Sequence, residues 1–146
     1  MGTASQPVNF GTMAHDHEIY MTMADTAAEL RDVEALRKYA PPLENLAERD
    51  NHRLYLGIAY RALGVSHRLA GEHAAAETRL IQALELFTKV GARWQIGRTQ
   101  FELGELYVSV SPRKAREYYS QALGSFEEIQ AAPNAGRTRM ALSSFT

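Results

Sequence analysis

From about Asp16 to the end of the chain, apolar residues recur every three or four positions, the spacing that gathers them on one face of an α-helix. Alternating β-branched runs are scarce, so the pattern predicts helices and no sheet. It is interrupted at "LAGEH" (69–73), "KVGAR" (89–93), "VSVSPRK" (108–114) and "QAAPNAG" (130–136), which read as turns between helices. Ser111 followed by Pro112 has the form of a helix start, a capping hydroxyl before a proline that the first turn tolerates. Residues 1–14 are small and polar without periodicity. They are expected to form a flexible leader, with the helical domain spanning 15–146.

The pattern also repeats at long range. "GRTQFELG" (97–104) returns 39 residues later as "GRTRMALS" (136–143). Ala76, Leu80, Ala83, Leu84 and Phe87 fall at the same offsets as Ala115, Tyr119, Ala122, Leu123 and Phe126. Ala35, Tyr39, Pro42, Leu43 and Leu46 offer a third set upstream. Each set is one apolar stripe, in which alanine lets a neighbouring helix come close and the larger residues fill the space between layers. A second helical segment precedes each stripe: "EIYMTMADTAAEL", "YLGIAYRALGVSHRLAG" and "WQIGRTQFELGELYVSV". The unit is therefore a helix pair of about 40 residues, and a fixed interval of this kind belongs to stacked structural units rather than to a catalytic motif.

These residues resemble the tetratricopeptide repeat, whose first helix carries an aromatic and L-G-x-x-Y and whose second carries A-x-x-x-F. One copy has Tyr60, Leu63, Gly64 and His67, then Ala76 and Leu80; the next has Leu103, Gly104 and Tyr107, then Ala115 and Tyr119. Met23, Ala24 and Ala27 hold the L-G-x-x-Y slots of a degenerate first copy, and "AGRTRMALSSF" is a half-copy, so the resemblance covers roughly residues 16–145. It implies an all-α, right-handed superhelical solenoid of three antiparallel helix pairs and a closing helix, about seven helices in all. The period, 39–40 residues rather than 34, is similar to that of longer repeats in helical domains of large bacterial signalling proteins and transcriptional regulators. Pro41 and Pro42 fall inside a second helix, where an interior proline costs about 3 kcal/mol, so that helix is expected to kink or split.

Composition narrows the chemistry. The absence of cysteine removes disulfides, thiolate metal sites and cysteine nucleophiles, and suits a reducing cytoplasm. No apolar run approaches the roughly 20 residues that span a bilayer, and no secretory signal opens the chain. "MGTASQ" has Gln6 where an N-myristoylation site wants Ser or Thr. Net charge is −1, but residues 1–50 carry nine acids and four bases whereas residues 51–146 carry eight and twelve. That basic excess is too mixed for direct nucleic-acid binding, though it favours an acidic protein or peptide. His15 and His17 are two apart and share no helical face, which reads as incidental histidines of the leader rather than a metal site. His67 in a tyrosine slot reads as packing, and His52 and His73 as capping or solvated residues at helix starts. Trp94, at the start of a first helix, reads equally as an interface anchor and as packing over the preceding turn. No nucleophile–base spacing, phosphate loop or cofactor motif is present, and no enzyme is expected.

In the family, partner segments lie on the concave surface formed by first helices. Carried over by register, that surface holds Glu18, Met21 and Asp25, then Ile58, Arg61, Val65 and Arg68, then Arg98, Phe101 and Glu105, and finally Arg137 and Met140. The family's chaperone-tail clamp needs asparagine where Val65 and Glu105 stand, so that activity is not implied. The candidate partner-binding residues are Arg61, Arg68, Arg98, Phe101, Glu105, Arg137 and Met140. Arginine grips carboxylates through two parallel hydrogen bonds, and Arg68→Glu or Arg98→Glu is expected to weaken binding while sparing stability. The resulting reading is a non-catalytic interaction scaffold that binds a protein segment or associates with itself as a homodimer. The alternative is a ligand-sensing regulatory domain belonging to a larger bacterial signalling protein or transcriptional regulator.

Overall fold

The structure, a computed structural model, describes residues 10–145, with side chains described from Asp16. Seven helices follow one another among them: α1 (Phe10–Leu30), α2 (Val33–Arg49), α3 (Arg53–Leu69), α4 (His73–Val90), α5 (Arg93–Tyr107), α6 (Pro112–Glu128) and α7 (Ala132–Ser143). No described residue is in a strand. Of the expected leader, residues 1–9 lie outside the described residues, while Phe10–Ala14 belong to α1.

Turn geometry sets the period. Arg31, Asn51, Gly71 and Gly91, twenty residues apart, each take positive φ just after a helix, as does Gln130. A left-handed residue there lets the backbone close over the last carbonyls and reverse direction. Asp32, His52 and Ser111 then accept the amides of Ala35, Tyr55 and Lys114 and start the next helices. The α5–α6 turn has no residue of positive φ among those described, and it follows a first helix of 15 residues where α3 has 17. Gly64 precedes Leu80 by 16 positions, but Gly104 precedes Tyr119 by 15, which turns an interval of 40 into one of 39.

Helix packing confirms two of the three predicted stripes. Ala76, Leu80, Ala83 and Phe87 of α4 are buried, as are Ala115, Tyr119, Ala122 and Phe126 of α6. They press on glycines of the preceding first helices. A Cβ added at Gly57 or Gly64 would lie 2.6 or 2.7 Å from Phe87 or Leu80, and one at Gly97 or Gly104 would lie 2.7 or 2.6 Å from Phe126 or Tyr119. The third stripe is displaced by one residue. α2 buries Leu36, Ala40, Leu43 and Ala47, leaving Ala35, Tyr39, Pro42 and Leu46 at the border. At this register the size contrast is reversed at one position and lost at the other: His17 and Ala24 of α1 stand in the places of Gly57 and Gly64, while Ala47 and Ala40 stand in those of Phe87 and Leu80.

Two further expectations change. α2 runs through Pro41 and Pro42 as one helix, because burial of Ala40 and Leu43 on either side holds the chain where two backbone hydrogen bonds are lost. His17 is not incidental. It is buried, with Nε2 3.0 Å from Asp50 and its ring against His52 and Tyr55. The side chain of His15 lies outside the described residues.

Ala83 and Ala122 sit fully buried at crossings between a first and a second helix. Replacing either by leucine is expected to overpack the site and cost about 1–3 kcal/mol, read as a lowered midpoint in urea unfolding.

Candidate interaction surface

The first helices α1, α3, α5 and α7 bring the candidate residues together, but most of them face inward on one another. Arg61 is only 2% exposed. Its guanidinium donates to Asp25 Oδ1 at 2.9 Å and points toward Thr99 Oγ1 and the carbonyl of Gln95 at 3.4 Å, over the Phe87 ring. Arg98 reaches from α5 to the same carboxylate and clamps both its oxygens at 2.9 Å, with Glu29 3.4 Å away. Asp25 thus ties α1 to α3 and α5 at once. Burial works to raise its carboxyl pKa, but the two guanidiniums outweigh it and hold Asp25 below the usual aspartate range.

A second rung, with its acid on α5 rather than α1, lies one turn along α5 and two turns along α3. Glu102 of α5 is buried and accepts from Arg31 at 2.8 Å, with Arg68 of α3 at 3.6 Å. Burial pushes the Glu102 carboxyl up against the pull of Arg31 and Arg68. Arg31 sits in the α1–α2 turn at φ 57, a conformation uncommon for a residue with a side chain, and its guanidinium also bonds the Ala28 carbonyl at 2.7 Å. Glu105 accepts from the hydroxyl of Tyr119 and lies 3.7 Å from Arg31. Desolvation and this carboxylate raise the Tyr119 pKa well beyond the ordinary phenol range.

The expected arginine-lined groove is therefore largely filled by its own counter-charges. Arg61 and Phe101 are buried, Arg98 and Arg68 nearly so, and Glu105 is occupied by Tyr119. Ile58 and Val65, also assigned to that surface, are core residues. Arg98→Glu would place an anion against Asp25, so sparing of stability is no longer expected. Two of the seven candidates remain open. Arg137 is half-exposed, lying over the Phe101 ring at 4.9 Å and 3.7 Å from Glu29, and Met140 is 74% exposed. Trp94 is half-exposed too, edge-on to Phe126 and beneath Arg98.

Glu102 and Arg31 were missed by the sequence reading, although one signal was available. Glu102 occupies the register of Ala62 and Ala141, and Arg61 that of Met21, Phe101 and Met140. A charge in an apolar register marks a buried ion pair, since an unpaired charge there would be prohibitively desolvated.

No described helix is long and apolar enough to cross a membrane, and no group of three or more His, Cys, Asp or Glu among the described residues is placed to hold a metal. Comparison with curated proteins finds no match. The family model of the tetratricopeptide repeat, a class of generally non-catalytic interaction modules, matches residues 55–128. Those residues are α3 to α6, the two helix pairs with glycine notches filled from the second helix. The chain belongs to the tetratricopeptide repeat family.

Proposed function

We propose that the chain is a non-catalytic scaffold that binds an acidic protein segment at its C-terminal first helix, through Arg137 and Met140. The observation that carries this reading is the contrast in exposure along the first helices. The upstream arginines are committed to Asp25 and Glu102, whereas Arg137 and Met140 present a cation and an apolar side chain outward. An exposed apolar residue beside a half-exposed arginine is a combination suited to anchoring a carboxylate-bearing chain. The test is affinity capture followed by titration with the captured partner. Arg137→Gln and Met140→Asp should each weaken binding about tenfold or more, with less salt dependence for Arg137→Gln and near-parental thermal stability. Parent-like affinity in both variants would rule out this face.

Ligand sensing has one observation in its favour. A cleft of about 320 Å³ between the ends of α3 and α5 is lined by Arg68, His73, Glu105 and Ser109. Arg68 is the one arginine or lysine in that lining, and its side chain is 19% exposed. A small monocarboxylate is the chemistry that one arginine matches, and a thermal-shift series is expected to raise the melting temperature for the parent and not for Arg68→Met.

A further inference from the structure

Four glycines on the first helices α3 and α5 accept a large side chain from the helix that follows. Gly57 takes Phe87, Gly64 takes Leu80, Gly97 takes Phe126 and Gly104 takes Tyr119. Gly136 of α7 stands at the same register, in an octet that nearly copies that of Gly97, yet no described atom lies within 4 Å of a Cβ built there. The difference extends along the helix face. Phe101, four residues after Gly97, is 8% exposed and packs edge-on against Tyr119, whereas its counterpart Met140 is 74% exposed. Gly136, Met140 and Ser143 fall at i, i+4 and i+7, one stripe of a helix. Arg137 and Arg139 flank it on either side, both more than half exposed; Arg139 is paired with Glu127 at 2.7 Å, whereas Arg137 lies 3.7 Å from Glu29 and makes no hydrogen bond to it.

We infer that this stripe of α7 seats an amphipathic helix of a partner protein, with an aromatic or leucine side chain lodged against Gly136 and an acidic residue facing Arg137. The chemistry of the occupant follows from the four filled notches, which hold two phenylalanines, a tyrosine and a leucine, all carried on helices. The acidic residue follows from Arg137, the flanking cation without a hydrogen-bonded carboxylate. The inference rests on the binding face proposed above and adds the conformation of the bound segment and its anchor.

The probe is a fluorescently labelled peptide of residues 112–128, the α6 sequence that already fills the twin notches of α5. Added to the full chain, it should bind and gain helical circular dichroism, since a free 17-residue helix is marginal in water. Gly136→Leu should abolish binding while the chain stays folded, because the new side chain enters open space. Phe126→Ala in the peptide should weaken it about tenfold or more. Binding that survives Gly136→Leu would overturn the inference. So would a doubled solution mass that Gly136→Leu returns to monomer, which would place a second copy of the chain on this face. Capture of a partner that depends on Arg137 and not on Gly136 would defeat the helix assignment alone, and independence from both would defeat the binding face itself.

Discussion

Asp25→Ala is expected to cost about 3–5 kcal/mol, much of the stability of a domain this size. The carboxylate is the shared counter-charge of Arg61 and Arg98, and its removal leaves the Arg61 guanidinium buried without an anion. Urea unfolding should show the loss as a lower midpoint. Arg61→Met should be milder, because Asp25 keeps its two bonds from Arg98 and the register already holds methionine or phenylalanine in the other copies. The pH dependence carries the same signature. Asp25 titrates lower in the fold than in the unfolded chain, so its contribution is complete above the ordinary value of 3.8 and is lost as pH falls below that, through the depressed value. Glu102, pushed upward by burial, contributes in the opposite sense. The clean measurement is therefore the acid limb of the parent against Asp25→Asn, in which the Asp25 step should vanish.

Gly97→Ala with Gly104→Ala is the second large effect, expected at about 2–6 kcal/mol if each overpacked site costs about 1–3 and the two add. Each new Cβ would stand 2.6–2.7 Å from an aromatic ring that is itself buried. The same change at Gly136 should stabilise, by about 0.5–1 kcal/mol, since alanine is the better helix former and the space is open. Thermal melts of the two variants should move in opposite directions. Equal signs would mean that the twin octets are not packed as the structure has them.

The helices and their order were legible because packing in this fold is written in residue size. Glycine or alanine opposite leucine, phenylalanine or tyrosine, repeated every 39 or 40 positions, leaves little freedom in choosing the buried face of α4 and α6. The same rule misled at α2. Ala35 and Tyr39 imitate Ala115 and Tyr119, but α2 buries the face one residue on, Leu36, Ala40, Leu43 and Ala47, while His17 is buried on the other partner. The concave surface was the least legible part. Register assigns a residue to a side of its helix, but it does not give the curvature of the stack. That curvature decides that Asp25 of α1 meets Arg98 of α5, 73 positions away, and so converts a presumed binding lane into a charged interior.

The two rungs bear on how the molecule comes apart. In a stack whose units touch only their neighbours, stability is a sum of local terms, and end units fray independently. Here Asp25–Arg98 and Arg31–Glu102 join the first helix pair to the third, across 73 and 71 positions. Fraying of α1 would expose Arg61 and Glu102 together, so the first unit cannot open without weakening the third. Amide protection in α1 beyond Asp25 should consequently match that of α5 in hydrogen exchange, and both should fall together in Asp25→Ala. A linear array is thereby closed into one cooperative unit by a handful of long side chains.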